Sequence, residues 1–242
     1  MVSNKIQQLK NMIEKRNNIV FFGGAGVSTE SGIPDFRSSN GLYNQQDIEF
    51  KKYDPEYLLS EECLYENPGV FYKFYKQKLD CRNYEPNITH YKLAELERKN
   101  KLMGIITQNI DGLHQKAGNK KVCELHGNNN EAYCSRCKKR YNIDHIFKID
   151  GVSYCSCGGL IRPNIVLYGE YLKDENWSEA VYLISNADLL IIAGTSLTVH
   201  PAKSLISYAH CPIVIINKEK VDVEADLIIN DLCGNVFKEL IE

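Results

Sequence analysis

The sequence predicts an α/β fold, a doubly wound parallel sheet that carries a smaller second module. Three observations point there. Short runs of Val, Ile and Leu recur without the polar alternation of a half-exposed strand, as in parallel sheets covered on both faces. Helical patterns fall between those runs, so strand and helix alternate. The first run, Ile19-Val20-Phe21-Phe22, leads straight into Gly23-Gly24-Ala25-Gly26, a turn that brings backbone N–H groups close to a phosphate.

The elements follow in order. Residues 1–16 read as an amphipathic helix with Ile6, Leu9, Met12 and Ile13 on one side and Ser3 as its cap. Strands are expected at 19–22, 103–107, 122–125, 164–168, 189–193, 213–217 and 227–229. Helices are expected at 89–99, 176–186, 202–209 and 236–241. Two stretches break the alternation. Residues 38–88 are rich in aromatics, as in Val70-Phe71-Tyr72-Lys73-Phe74-Tyr75, and residues 128–162 are polar and carry a cysteine cluster. The expected division is residues 1–37, 89–127 and 163–242 for the sheet domain, with 38–88 and 128–162 packing together as the smaller one. Open α/β sheets bind ligands at the carboxyl ends of their strands, here the cleft beside that module.

A chain of 242 residues can bury a substantial core, and 43% hydrophobic with 25% charged residues is ordinary for a globular protein. A net charge of −2 provides no global field for nucleic acid or an anionic membrane. The basic patch Lys138-Lys139-Arg140 with Lys120-Lys121 reads as a solvated face. No stretch reaches the ~18 consecutive apolar residues of a membrane span, and the polar start lacks the pattern of a secretion leader. A cytoplasmic protein with no membrane and no direct nucleic-acid partner is expected. There, nine cysteines favour metal ligands and buried thiols over disulfides, and the sequon Asn87-Ile88-Thr89 arises by chance.

Cys134-Ser135-Arg136-Cys137 and Cys155-Ser156-Cys157-Gly158-Gly159 are separated by 17 residues. Four thiolates in two close pairs at this spacing match a structural zinc site. With sulfur at all four positions, Cys134, Cys137, Cys155 and Cys157, the site has no place for water, so one zinc ion holds structure and performs no chemistry. Cys63, Cys81, Cys123, Cys211 and Cys233 are scattered and read as packing residues.

The glycine turn alone also fits any tight strand-to-helix connection. Other strand ends join it. Thr107-Gln108-Asn109-Ile110-Asp111-Gly112-Leu113-His114 offers amides and a carboxylate suited to ribose hydroxyls and a carboxamide, although a plain Asn/Asp turn closed by Gly112 would look the same. Gly194-Thr195-Ser196-Leu197 offers N–H groups and hydroxyls to a phosphate or ribose. Asn217 can hydrogen-bond a ribose, and Asn230-Asp231-Leu232 can close over a base. His126, in Glu124-Leu125-His126-Gly127, has an ordinary pKa near ~6.5 and can take a proton at neutral pH. Its position alone leaves structural and catalytic roles equally open. His114 reads as shaping its loop; His90, His145, His200 and His210 read as ordinary surface or packing residues.

From Gly23 the sequence continues Val27-Ser28-Thr29-Glu30-Ser31-Gly32-Ile33-Pro34-Asp35-Phe36-Arg37, with Thr29 where a dinucleotide fingerprint has its third glycine. Together with the 107–114 motif, this resembles the sirtuin family of NAD-dependent protein deacylases, from the Ile19 strand to Asn217 and on toward the C-terminus. The resemblance implies a Rossmann-like NAD-binding domain with a smaller helical plus zinc-binding module. It implies that NAD meets Gly24, Ala25, Gly26, Thr29, Asp35, Phe36, Arg37, Gln108, Asn109, Ile110, Asp111, His126, Gly194, Thr195, Ser196, Asn217 and Leu232. Among these, Ile110 and Asp111 hold the nicotinamide amide, Gln108 and Asn109 face its ribose, Phe36 and Arg37 cover the cofactor, and His126 is the general base. The family more often has C-x-x-C where this chain has Cys155-Ser156-Cys157. Val166-Leu167-Tyr168-Gly169-Glu170 resembles the segment that pairs with an extended peptide substrate, with Tyr168 in place of the usual Phe.

The implied activity is removal of acetyl or another apolar acyl group from protein lysines. The acyl oxygen attacks the anomeric carbon of NAD, nicotinamide leaves, and an alkylimidate forms. His126 then deprotonates a ribose hydroxyl that attacks the imidate, and water yields free lysine and O-acyl-ADP-ribose. Members that prefer succinyl groups carry a Tyr-x-x-Arg pair. Here Tyr72 is followed at the third position by Tyr75, so a buried acyl carboxylate would lack a cation and apolar acyl groups are expected. Two other functions compete: an NAD-dependent mono-ADP-ribosyltransferase, and a non-catalytic nucleotide sensor or zinc-ribbon binding module, which His126 and the mild charge disfavour.

Overall fold

A computed structural model describes residues 2–36, 41–42 and 49–240. Six parallel strands form the main sheet: β1 (Ile19–Gly23), β2 (Leu102–Thr107), β3 (Val122–Glu124), β7 (Leu189–Ala193), β8 (Ile213–Ile216) and β9 (Leu227–Ile229). Their order is β3-β2-β1-β7-β8-β9. Chain direction across the sheet therefore reverses between β1 and β7, the switch point where open α/β sheets leave a crevice.

Alternation along β1 explains the two helical layers, because successive side chains leave opposite faces of a strand. Ile19 and Phe21 pack with Leu9 of α1 (Val2–Glu14), Leu93 of α4 (Ile88–Arg98) and Phe237 of α8 (Cys233–Leu240). Val20 and Phe22 pack instead with Leu183 and Ile184 of α7 (Asp174–Ser185) and with Leu205 of a 3-10 helix, Ala202–Tyr208. The sheet is thus doubly wound, as its sequence pattern predicts.

The two segments that break the alternation share one core. Phe71, Tyr72, Phe74 and Tyr75 of α3 (Pro68–Lys78) and Leu64 of α2 (Glu61–Glu66) pack against Ala132, Ile161 and Ile146. Those partners lie on β4 (Gly127–Cys134), β6 (Ile161–Ile165) and α6 (Asp144–Lys148). With β5 (Arg140–Asn142), β4 and β6 make a three-stranded antiparallel sheet in the order β5-β4-β6.

Four expectations are corrected. The strand expected at 164–168 is β6, which ends at Ile165 and runs antiparallel to β4 in the small sheet. Pro163, which has no N–H to donate, sits on its edge, where a ladder bond is not needed. The helix expected at 202–209 is a 3-10 helix, Ala202–Tyr208: the Ser204 and Ser207 hydroxyls donate to the carbonyls of Pro201 and Ser204, each at 2.7 Å, and this local bonding competes with α-helical hydrogen bonds. Ser3 lies inside α1 and does not cap it. Helix α8 begins at Cys233, earlier than expected, because the Gly234 N–H donates to Glu30 Oε2 at 2.6 Å; a cap from so distant a residue is invisible in local sequence.

Helix α4 shows how the fold reaches the future site. Asn87 caps it, accepting from the Thr89 N–H at 3.0 Å, while the Asn87 N–H donates to His90 Nδ1 at 3.2 Å. The Asn87 amide also donates to Val27 O and Ser31 Oγ, at 2.8 and 2.9 Å, so the sequon asparagine braces the glycine-rich segment. His90 packs against His114 of α5 (Leu113–Lys116) with ring centroids 4.7 Å apart and planes inclined by 57°, and both are buried. His90 is an interior residue of this brace, not a surface one.

Burial pushes the His90 pKa down to about 4 and that of His114 well below its ordinary value. Both rings are neutral when folded, whereas the unfolded chain protonates them near pH ~6.5. Their contribution is complete above that pH and is lost as pH falls through the folded values, by about 1.4 kcal/mol per ring per pH unit. Urea unfolding of the zinc-loaded protein should therefore show lower stability at about pH 5.5 than at about pH 7, and His114→Leu should flatten the difference. Equal stability of the unaltered protein at both pH values contradicts this.

Candidate active site

The site begins where β1 and β7 end side by side, with Gly23 opposite Ala193. The turns that follow lie against each other: the Gly26 N–H donates to Gly194 O at 2.7 Å and the Gly24 N–H to Ala193 O at 3.2 Å. A Cβ on Gly26 would stand 2.7 Å from Gly194 Cα, and one on Gly24 would stand 2.7 Å from Thr195 Cβ. Gly194 also has a φ of +60°, a left-handed conformation that costs glycine little. The glycines are needed because backbone meets backbone.

The end of β2 adds the amides. The Gln108 N–H donates to Gly23 O at 3.0 Å, and the Gln108 side chain donates to Thr195 Oγ1 at 3.0 Å. The Asn109 amide donates to Gly24 O and Ser28 Oγ, both at 3.0 Å. Ser28 Oγ in turn donates to Asp111 Oδ2 at 2.7 Å, and the Leu113 N–H reaches Asp111 Oδ1 at 2.9 Å. Burial raises the Asp111 pKa above the usual carboxylate value, and these donors oppose the rise. His126 closes the ring: its Nδ1 lies 2.9 Å from Gln108 O. A carbonyl only accepts, so Nδ1 carries the proton and Nε2 is left with the lone pair. Burial lowers the His126 pKa below 6.5, and the Gln108 bond partly offsets it.

These tips line one cleft of about 860 Å³. Gly24, Ala25, Gly26, Thr29, Asp35, Phe36, Gln108, Asn109, Ile110, His126, Gly194, Thr195, Ser196, Asn217 and Leu232 all face it. Asp111 lines a smaller adjoining cavity of about 40 Å³, together with Ala25, Phe36, Asn109 and Ile110. Arg37 lies outside the described residues. Tyr72 and Tyr75 are fully buried in the module core, and their hydroxyls donate to Ile161 O and Asn129 Oδ1. They line neither cavity.

Several residues join the site without a clear sequence signal. Ser28 is buried and links Asn109 to Asp111, a role visible only once two loops 83 residues apart are brought together. Leu79 lines both cavities and Lys78 the smaller one. His200, with Val199 and Pro201, lines the large cleft, which departs from its reading as an ordinary surface or packing residue. Opposite runs the wall Ile165–Glu170. There the Tyr168 N–H donates to Leu59 O at 3.0 Å and the Glu61 N–H to Tyr168 O at 2.9 Å, so Tyr168 pairs within the chain.

The four cysteines Cys134, Cys137, Cys155 and Cys157 converge, with all sulfurs within 4.8 Å of one another. Sγ separations of 3.4 Å for Cys134–Cys157 and 3.7 Å for Cys137–Cys155 are close to the ~3.8 Å edge of a tetrahedron with ~2.3 Å Zn–S bonds. The short C-x-C pair works because a tight turn follows it: the Gly158 N–H donates to Cys155 O at 2.8 Å, and Gly158 has φ +82°. The Tyr141 hydroxyl donates to Cys155 Sγ at 3.1 Å. The Cys157 N–H and that hydroxyl lower the Cys155 pKa to about 6, so this sulfur is readily a thiolate. The donor set fits one structural zinc.

A sequence model of the Sir2 family matches residues 24–201. The chain is 49% identical to an NAD-dependent protein deacetylase of Clostridium perfringens, over the full length of both. It is 47% identical to one of Cutibacterium acnes, over 96% of this chain and 95% of the relative. Among solved structures, a Sir2 protein with deacetylated p53 peptide and 3′-O-acetyl ADP-ribose superposes with a TM-score of 0.88 at 37% identity, covering 96% of each chain. Sir2Tm bound to a propionylated peptide gives 0.86 at 36% identity, covering 98% of this chain and 97% of the other.

Two outcomes follow from this geometry. Gly26→Ala should destabilise the chain by about 2 kcal/mol, because neither backbone can yield, and it should weaken NAD binding; a variant with unchanged unfolding midpoint and NAD affinity contradicts the contact. Tyr141→Phe should release zinc to a chromophoric chelator about tenfold faster, and an unchanged release rate contradicts the Tyr141–Cys155 bond.

Proposed function

The chain belongs to the Sir2 family, and from that premise we propose that the cleft at the β1–β7 switch point carries its chemistry. The protein is an NAD-dependent protein-lysine deacetylase that releases nicotinamide and O-acetyl-ADP-ribose. NAD supplies an anomeric carbon that the acyl oxygen attacks as nicotinamide leaves. The residues of this chain hold, shield and deprotonate. In our reading the turns at Gly24–Gly26 and Gly194–Ser196 take the phosphates on their N–H groups. Asn217 and Leu232 flank the adenosine end. Ile110 and Asp111 hold the nicotinamide carboxamide in the smaller cavity, and Phe36 keeps water from the reacting carbon.

The observation that carries the proposal is the His126 Nδ1–Gln108 O bond. It fixes the tautomer, aims Nε2 as a base, and ties that base to the same residue whose side chain reaches Thr195. An acetyl-lysine entering between the 165–170 wall and the 196–201 loop meets Ile110, Ile165 and Leu167. This apolar lining, not Tyr72 and Tyr75, supports a preference for acetyl and other apolar acyl groups.

Partners are acetylated proteins or peptides. Among the described residues, no helix is long and apolar enough to cross a membrane. A thiolate zinc cluster, with none of the nine cysteines in a disulfide, supports a reducing cytoplasmic setting. The net charge of −2 supports a chain that does not bind nucleic acid directly.

Incubation with NAD and an acetyl-lysine peptide should yield deacetylated peptide and O-acetyl-ADP-ribose by mass. An ADP-ribosylated acceptor in their place would instead indicate a transferase. His126→Ala should lower kcat by about 100-fold or more, and full turnover in that variant refutes the base. Because the base must be neutral and its pKa is lowered, the acidic limb of kcat/KM should fall below pH ~6.5; a limb above that value contradicts the assignment.

A further inference from the structure

The wall Ile165–Glu170 is wrapped around an ion pair between a buried arginine and a half-buried glutamate. Arg162, on β6, is 3% exposed and is not among the residues lining the cleft. Its guanidinium forks onto the Glu170 carboxylate, with Nη1 on Oε1 and Nη2 on Oε2 at 2.8 Å. Nη2 also donates to Ile165 O at 2.8 Å. Glu170 Oε2 receives the Leu167 N–H at 2.8 Å, and the Glu170 N–H returns to Leu167 O at 3.0 Å. The pair therefore binds both ends of the segment and its middle. Gly169, at φ +91°, lets the chain double back onto the carboxylate.

The segment is tethered outward at two points. The Val166 N–H donates to His126 O at 2.9 Å, and the Tyr168 N–H to Leu59 O. One tether runs to the backbone of the base and the other to the small module. With the Leu167 and Tyr168 amides engaged inside the chain, an arriving peptide depends on where this turn puts the Gly169 peptide unit and the apolar side of Leu167. A bidentate Arg–carboxylate fork fixes direction as well as distance, which a single point charge does not.

We infer that Arg162 and Glu170 are positioning residues for the peptide substrate: their bidentate fork sets the 165–170 wall on which the acyl-lysine segment lies. The inference rests on the deacetylase reading. It separates peptide from cofactor, because the NAD-facing turns at Gly24–Gly26 and Gly194–Ser196 share no hydrogen bond or ion pair with the fork. Burial alone would raise the Glu170 pKa, but the Arg162 guanidinium and the Leu167 N–H hold it below its usual value, so the pair stays charged at neutral pH.

The test uses steady-state kinetics of the zinc-loaded full chain with an acetyl-lysine peptide and NAD, on E170Q, R162K and the double variant. Glu170→Gln keeps the shape and an oxygen for the Leu167 N–H, which makes it the milder change, and zinc content and unfolding midpoint check that each variant folds. E170Q should raise the peptide KM by about tenfold or more with the NAD KM within about twofold, as for a wall displaced by a fraction of an ångström. R162K, which cannot touch substrate, should do the same, and the double variant should be no worse than the worse single one. An unchanged peptide KM in E170Q, an equal rise in both KM values, or additive effects in the double variant overturns the inference. No deacetylation by the unaltered chain fails the functional reading itself, and the inference falls with it. Turnover by the unaltered chain with no effect of E170Q removes the inference alone.

Discussion

Everything at this site depends on two turns that touch where three glycines carry no side chain. Gly26 rests on Gly194, and Gly24 on Thr195, with no space for a single carbon. That contact follows from sheet order, since β1 and β7 are neighbours in register and both end at the cleft. Once the turns are fixed, Gln108 and Asn109 can each reach across to them. The amide network, the histidine tautomer and the shape of the cleft are consequences of this backbone proximity.

The architecture divides the labour between a rigid floor and an attached wall. The floor consists of strand ends whose side chains are locked by both helical layers. The wall packs into a module with its own aromatic core and four-cysteine knot, and hydrogen bonds such as Val166 N–H to the His126 carbonyl join it to the floor. The four cysteines that fit a metal are part of that module, so losing the metal would act on the cleft through the module's fold. The fork of Arg162 on Glu170 lies at the junction, bent round the segment that faces the cleft.

Much of this was legible in the chain. The apolar runs at Ile19, Leu189 and Ile213 are long enough and uniform enough to declare buried parallel strands, and the glycines after Ile19 and Leu189 mark where backbone must come close. The cysteine spacing declared the metal knot. What stayed hidden depends on contacts between distant residues. Ser28 looks like any loop serine until Asp111 is beside it. The start of α8 depends on Glu30, some two hundred residues earlier in the chain. Tyr72 and Tyr75 matched a spacing, but helix α3 turns both into the core, and a spacing does not say which face of a helix is buried. The strand expected at 164–168 pairs antiparallel with β4 at a sheet edge and gives way to a turn at Gly169, a pairing that a run of apolar residues does not specify.

The central claim is that one cleft joins the electrophilic sugar carbon of NAD to the acyl oxygen of a lysine. The most direct measurement is the stoichiometry of nicotinamide released to acetyl-lysine consumed by the zinc-loaded protein. The account predicts one nicotinamide for each acetyl group removed, and almost no nicotinamide when the peptide is unacetylated. Steady nicotinamide release without loss of acetyl groups, or deacetylation without NAD, would contradict it.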